Sequence, residues 1–146
     1  MAKSVRESMT ANPRCVTPET SVAEVARVMR TEDVGALPIV TDPDRVVGMV
    51  TDRDLVVRVL AEGLDPEATP VAQVATEDPV TVDAEADLDD ALVLMARHQL
   101  RRIPVVSGPD RIVGILAQAD VALTTREKTA GEVVAEISRP AEGPRL

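Results

Sequence analysis

The pattern of apolar positions along the chain predicts two copies of one arrangement. Residues 22–29 and 88–95 place Val, Ala, Leu and Met at helical spacing, which predicts an amphipathic helix in each stretch. Each helix is followed by two runs that are apolar on both faces and flank a turn rich in Pro and Asp. Such runs are typical of paired strands that are covered on both sides. They are residues 36–40 and 46–50 in the first copy, and 103–106 and 112–116 in the second.

The two copies align without a gap. Gly48 falls on Gly114 and Asp54 falls on Asp120, so each residue has its counterpart 66 positions later. Agreement without an insertion indicates a duplication. The remaining predicted elements also come in pairs: short helices at 5–9 and 71–75, extended segments at 15–17 and 81–83, and closing helices at 52–62 and 118–124.

Each copy is therefore predicted to be a β-α-β-β-α unit of about fifty residues, which exposes too much apolar surface to be stable alone. The sequence predicts an α/β (α+β) fold in which two such repeats pack as a pseudo-two-fold pair around a shared core. The expected divisions are a first repeat at 5–63, a linker at 64–70, a second repeat at 71–124, and a C-terminal helix and tail at 125–146.

Polar pairs three residues apart predict where several helices begin, because they can form capping boxes. Gly63 and Pro140 are expected to end the helices before them. The capping pairs are Ser4 with Glu7, Ser21 with Glu24, and Thr129 with Glu132, while Asp87 and Asp90 occupy the matching places in the second repeat.

Composition narrows the class of partner. The net charge of −9 argues against a nucleic-acid backbone as the main partner. The chain has no Phe, Tyr or Trp, so a bound base would have to pack against aliphatic side chains. No run approaches the roughly 18 uninterrupted apolar residues of a membrane span. The first residues are of mixed charge, and a single cysteine excludes an intrachain disulfide. We expect a cytoplasmic protein that binds neither nucleic acid nor membrane.

Four segments resemble the CBS domain family. They are residues 37–40 (LPIV), 48–54 (GMVTDRD), 101–106 (RRIPVV) and 114–120 (GILAQAD). The resemblance covers about residues 5–124 and is greatest to stand-alone bacterial CBS-pair proteins, including a hypoxic-response type from actinobacteria. It implies a pseudo-symmetric pair, or Bateman module, that binds AMP, ADP, ATP or a related adenosyl compound in two clefts. It also implies a homodimer and no required cofactor.

The resemblance further implies which side chains would contact the ligand. The family's ribose motif, Gly-x-x-Thr/Ser-x-x-Asp, falls on Gly48, Thr51 and Asp54. A hydroxyl beside exposed N–H groups suits a phosphate or ribose oxygen, and a carboxylate can accept hydrogen bonds from both ribose hydroxyls. The glycine is expected to let the chain turn out of the strand. Met49 and Ile115, each two residues before the hydroxyl position, are expected to pack against adenine.

Thr51 and Asp54 have a second interpretation, because the same spacing forms a capping box. The second repeat bears on the choice, since Ala117 replaces the threonine while Asp120 is kept. A carboxylate kept without its capping partner favours ligand contact. The missing hydroxyl also weakens the second cleft, so the sequence favours the cleft at Asp54 over the one at Asp120.

Arg101 and Arg102 precede a second-repeat strand at the place where the family often has arginines that face phosphates. Guanidinium suits bidentate contact with a phosphate. The first repeat has Gly35 and Ala36 there, so phosphate recognition is expected to be one-sided. Arg53 is expected to reach a phosphate or a dimer partner. Surface arginines paired with acidic neighbours are the alternative for all three.

No catalytic residues or metal ligands are expected. His98 and Cys15 are single residues of their kinds without the partners of a metal site or an activated nucleophile. His98 is expected at a helix end, and Cys15 as a small buried hydrophobe. The favoured function is a non-catalytic sensor that binds an adenine nucleotide and signals to an effector protein that the sequence does not name. A ligand-free dimeric scaffold with vestigial clefts is the alternative, and an enzyme is the least favoured class.

Overall fold

A computed structural model describes residues 3–120 of the chain. The first repeat contains helix α2 (Val22–Glu32), strands β2 (Ala36–Thr41) and β3 (Arg45–Thr51), and helix α3 (Asp52–Asp54), which continues as a π-helical segment (Leu55–Leu60). The second repeat contains strand β5 (Val82–Asp83), helix α4 (Leu88–His98) and strands β6 (Arg102–Ser107) and β7 (Arg111–Ala117). The predicted tail helix at Thr129 lies outside the described residues, and so does the end of the helix expected at 118–124.

The two long helices form where the apolar periodicity predicts them. The α2 helix begins after Ser21, whose hydroxyl accepts a hydrogen bond of 3.2 Å from the Glu24 N–H, as the capping pair predicts. Its buried face carries Val22, Val25, Val28 and Met29. The α4 helix presents the equivalent face, but its N-cap Asp87 makes no side-chain capping bond. The start of α4 thus depends on packing rather than on a polar cap.

The predicted strand pairs form antiparallel hairpins in one mixed sheet of order β2-β3-β7-β6-β5. The hairpins meet where Arg45 of β3 pairs with Arg111 of β7. Two backbone hydrogen bonds reinforce this junction, from Val46 N–H to the Asp110 carbonyl at 2.8 Å and from Ile112 N–H to the Asp44 carbonyl at 2.9 Å. The pseudo-two-fold pairing of the repeats is confirmed, and the sheet is continuous across it.

Two segments, which we call the crossover arms, pack on the opposite repeat. The first arm, residues 3–12, contains helix α1 (Val5–Ser8) and strand β1 (Thr10–Ala11), and β1 pairs with β7. The second arm, residues 69–78, contains a 3₁₀ turn (Val71–Gln73) and strand β4 (Thr76–Glu77), and β4 pairs with β3. The apolar pattern did not predict β1 or β4, and each repeat is completed by the arm that precedes the other.

The arms contribute side chains to two hydrophobic cores. Val5 is fully buried in the second-repeat core, and Val71 is fully buried in the first-repeat core. The other members come from the helices and strands of the same repeat, such as Leu92 in the second core and Val50 in the first. Burial of each arm's apolar residue therefore ties the two repeats together. Among residues 3–120, no helix is long and apolar enough to cross a membrane.

Gly48 and Gly114 are required by the arms rather than by a turn. Gly48 lies inside β3, paired with Ile39, so the expectation that it lets the chain turn out of the strand was wrong. A Cβ on Gly48 would lie 2.9 Å from the Thr76 carbonyl oxygen, and one on Gly114 would lie 3.0 Å from the Thr10 carbonyl oxygen. Both glycines make room for a crossover arm, for its backbone at Gly48 and for the Met9 side chain as well as the Thr10 carbonyl at Gly114.

Candidate functional site

The Thr51–Asp54 pair forms the junction between β3 and α3. The Asp54 N–H donates to Thr51 Oγ1 at 3.2 Å, and the Thr51 N–H donates to Asp54 Oδ2 at 2.8 Å. Asp54 Oδ1 also lies 3.8 Å from the Arg58 guanidinium. The capping-box interpretation of this pair is therefore correct as geometry. It leaves room for a ligand contact, because an ionised carboxylate has about four lone-pair sites.

Asp120 holds the equivalent junction in the second repeat. The Ala117 N–H donates to Asp120 Oδ2 at 3.3 Å, although Ala117 supplies no hydroxyl in return. The premise that Asp120 lacks a capping role was therefore wrong, because a carboxylate can accept from the backbone N–H without a reciprocal side chain. The capping bond alone explains why the second repeat has Asp120. Evidence for a ligand must therefore come from the other residues around Asp120.

A cleft of about 500 Å³ opens beside Asp120, and we call it the Asp120 cleft. One wall is formed by residues 10–14 and 32–37. The other wall belongs to the second repeat and is formed by Arg102, Ile115, Ala117 and Asp120. The volume lies within the range of roughly 300–1,000 Å³ that is typical of small-molecule sites. Because its walls come from both repeats, the cleft depends on how they are set against each other.

Three of the residues predicted for the site come together in this cleft, namely Arg102, Ile115 and Asp120. The other five do not line it. Met49 is buried within β3, and Thr51 and Asp54 hold the first-repeat junction. Arg53 and Arg101 are exposed, and the Arg101 carbonyl accepts a hydrogen bond of 2.7 Å from the Gln118 N–H.

Arg102 reaches across the cleft towards the first repeat. A Cβ on Gly35 would lie 2.9 Å from Arg102 Nη2 and 2.9 Å from Asp52 Oδ2. Because Gly35 has no side chain, the Arg102 guanidinium and the Asp52 carboxylate can both lie close to it. The sequence did not predict that Gly35 and Asp52 lie near Arg102, because neither stands in a motif that indicates this proximity.

His98 lies at a helix end as expected, whereas Cys15, expected to be buried, is only partly so. His98 is the last residue of α4. The Cys15 thiol is partly buried and lies 3.3 Å from the Pro13 carbonyl. Burial, and to a smaller extent the negative charge of Asp44, together raise the pKa of this thiol to about 11. A thiol with so high a pKa carries little thiolate near neutral pH and is a poor nucleophile.

Two β-α-β-β-α repeats that pair around a cleft are the arrangement expected of a tandem CBS module. The sequence profile of the CBS domain matches residues 2–61 and again residues 71–124. The chain therefore belongs to the CBS domain family and contains a tandem CBS pair.

Relatives place it more narrowly. The chain is 41% identical to hypoxic response protein 1 of Mycobacterium tuberculosis over 135 residues, which cover 92% of this chain and 94% of that protein. A crystal structure of Hypoxic Response Protein I with two coordinated zinc ions has a TM-score of 0.77 to this structure, covering 85% of this chain and 100% of that one. The crystal structure of CBSX2 in complex with AMP has a TM-score of 0.72 to this structure and 28% sequence identity to this chain. The match covers 82% of this chain and 93% of CBSX2.

The two zinc ions belong to the structure of Hypoxic Response Protein I. Between Lys3 and Asp120, no three His, Cys, Asp or Glu side chains lie close enough together to hold a metal ion. The described side chains that line the Asp120 cleft carry carboxylates, guanidiniums, the Thr10 hydroxyl, the Asn12 amide and aliphatic groups. This set suits an organic ligand with a diol and an apolar face.

Proposed function

We propose that this CBS pair is a non-catalytic sensor that binds an adenosyl compound, such as AMP, ADP or ATP, in the Asp120 cleft. The observation that carries the proposal is the convergence of Asp120, Ile115 and Ala36 on one cleft between the repeats. Asp120 would accept hydrogen bonds from the ribose hydroxyls, and Ile115 would pack against adenine. The AMP complex of CBSX2, a similar CBS protein, supports this ligand class.

Signalling would follow from the two-sided construction of the cleft. A ligand that contacts residues 32–37 and Ile115 together favours one setting of the repeats over others. The hairpins meet at Arg45 and Arg111, and the crossover arms pair with the opposite repeat, so the backbone that lines the cleft is joined to both repeats. An effector protein that contacts both repeats would read the change. In a homodimer, which the family resemblance implies, both subunits would undergo this change.

The first-repeat residues Met49, Thr51, Arg53 and Asp54, together with Arg101, remain proposed ligand contacts for a second cleft. The sequence favoured this cleft because Thr51 supplies a hydroxyl. That hydroxyl accepts a bond from the Asp54 N–H, so part of its capacity is already used. We therefore place the first ligand at Asp120 and regard the Asp54 cleft as the second site. A cytoplasmic location stays a prediction from the single cysteine and the charge pattern.

A ligand-free dimeric scaffold is the second candidate, and one observation favours it. Both Asp54 and Asp120 accept backbone hydrogen bonds that hold a strand-to-helix junction. Structural need alone would keep both carboxylates. The two candidates differ in one measurable property, since only a ligand-binding module is stabilised by adenosyl compounds.

Thermal unfolding with a panel of adenosine derivatives tests the proposal. A ligand that binds only the folded state should raise the free energy of unfolding by about 2.7 kcal/mol when its free concentration is ~100 times its Kd. At least one of adenosine, AMP, ADP, ATP and S-adenosylmethionine is expected to raise the Tm, while ribose 5-phosphate is not. If no adenosyl compound shifts the Tm at millimolar concentration, and the protein elutes as a dimer whose size nucleotide does not change, the scaffold replaces the sensor.

A further inference from the structure

The charges around the Asp120 cleft are unfavourable for a polyphosphate. Among the described residues that line it, three carry carboxylates and two carry guanidiniums. Acidic side chains therefore outnumber basic ones in this lining. These residues are Glu32, Asp33 and Asp120 against Arg14 and Arg102.

Both guanidiniums already have an acidic neighbour. Arg14 Nη1 lies 3.9 Å from Glu32 Oε2. Arg102 Nη2 and Asp52 Oδ2 flank the same point beside Gly35, each 2.9 Å from the position that a Cβ would take there. Asp52 thus adds a negative charge just behind the cleft lining. A phosphate that entered would meet Arg14 already paired with Glu32, and Arg102 with the negative charge of Asp52 nearby.

We propose that the Asp120 cleft selects adenosyl compounds that carry no net negative charge, either neutral or cationic beyond the 5′ carbon, over nucleoside polyphosphates. The proposal rests on the function proposed above and names the ligand class of the same site. A phosphomonoester carries roughly −1.5 to −2 charges near pH 7, and each further phosphate adds to the repulsion. A sulfonium or ammonium group would instead be attracted by Asp33 and Asp52.

The long-range field acts in the same direction. The chain as a whole carries a net charge of −9, which slows the approach of anions and favours cations. Asp33 ends α2 in the left-handed region with φ of 55°, and its backbone N–H is bonded to the Met29 carbonyl. This backbone holds the carboxylate-bearing residue in place at the cleft wall.

Calorimetric titration with four probes tests the selectivity. The probes are 5′-methylthioadenosine, S-adenosylmethionine, AMP and ATP without added metal, at an ionic strength of about 0.01–0.1 M, where screening is weak. Methylthioadenosine and S-adenosylmethionine are expected to bind at least about tenfold more tightly than ATP. The affinity of AMP is expected to lie between those of methylthioadenosine and ATP. Added salt should narrow the gap by strengthening ATP binding. ATP binding that is tighter than methylthioadenosine binding, and that weakens with salt, overturns the selectivity but leaves the sensor function intact.

Charge-removing variants locate the cause. Asp33→Asn and Asp52→Asn are each expected to strengthen ATP binding about three- to tenfold, and to leave methylthioadenosine binding within about twofold. Asparagine tolerates the left-handed backbone at Asp33. Glu62→Gln, which removes one charge from an exposed residue outside the cleft lining, is the matched control and should change neither affinity. Equal effects of all three variants would contradict a local cause, and no binding of any probe would overturn the proposed function as well.

Discussion

Truncation of Leu92 to alanine is expected to lower the free energy of unfolding by about 2–5 kcal/mol. Leu92 lies on the inner face of α4 and is fully buried in the second-repeat core. Its neighbours in that core come from α4 itself, from β6 and β7, and from the first crossover arm through Val5. The core is made of aliphatic side chains alone, and the chain contains no aromatic residue that could fill the cavity. The free energy of unfolding therefore falls both through the lost burial of apolar surface and through the cavity that remains.

The adjacent residue supplies the control. Val93 lies on the outer face of α4 with 56% of its surface exposed, so Val93→Ala should change the free energy of unfolding by no more than about 0.5 kcal/mol. Urea denaturation of both variants measures the difference, with the m-value as a check that the unfolding reaction is the same. If Leu92→Ala costs no more than Val93→Ala, then the described orientation of α4 is wrong.

Replacement of Asp120 by asparagine is expected to weaken binding of the adenosyl ligand about 10- to 100-fold, because a hydrogen bond to a charged group contributes about 1.5–3 kcal/mol. Asparagine keeps one side-chain oxygen, which can still accept the hydrogen bond from the Ala117 N–H. The variant should therefore keep the stability of the ligand-free protein. Asp120→Ala also removes the capping acceptor and should cost about 0.5–2 kcal/mol of stability in addition.

The same exchange at Asp54 separates the two clefts. Asp54→Asn preserves an acceptor for the Thr51 N–H and alters the first-repeat site alone. Titration calorimetry of both asparagine variants gives the affinity and the number of ligands bound. Loss of binding in Asp54→Asn but not in Asp120→Asn would move the ligand to the first-repeat cleft. Unchanged binding in both variants would show that the carboxylates serve as caps only.

Much of the fold could be predicted from the sequence, because its main elements have strong local patterns. The α2 and α4 helices show helical periodicity, and the β2–β3 and β6–β7 hairpins are apolar runs around Pro-Asp turns. The β1 and β4 strands could not be predicted, since two residues carry no periodicity and their pairing is with the opposite repeat. The role of Gly48 was missed for the same reason, because the Thr76 carbonyl reaches it from the distant arm.

The candidate site was predictable only in part. Arg102, Ile115 and Asp120 were identified from the family resemblance, and the fold brings them to one cleft. The opposing contribution of Gly35 and Asp52 depends on a tertiary contact that no local motif encodes. The cap made by Asp120 was not predicted either, because its donor is the backbone N–H of Ala117, which leaves no mark in the sequence.

The proposed sensor function requires that an adenosyl compound binds between the two CBS repeats. Amide chemical-shift mapping of isotope-labelled protein during titration with AMP and with 5′-methylthioadenosine tests it most directly. The largest shifts are predicted on both walls of the Asp120 cleft, at Ala11, Gly35 and Ile115. Shifts confined to the hairpin tips near Gly108 and Arg111, or to one repeat alone, would contradict the claim.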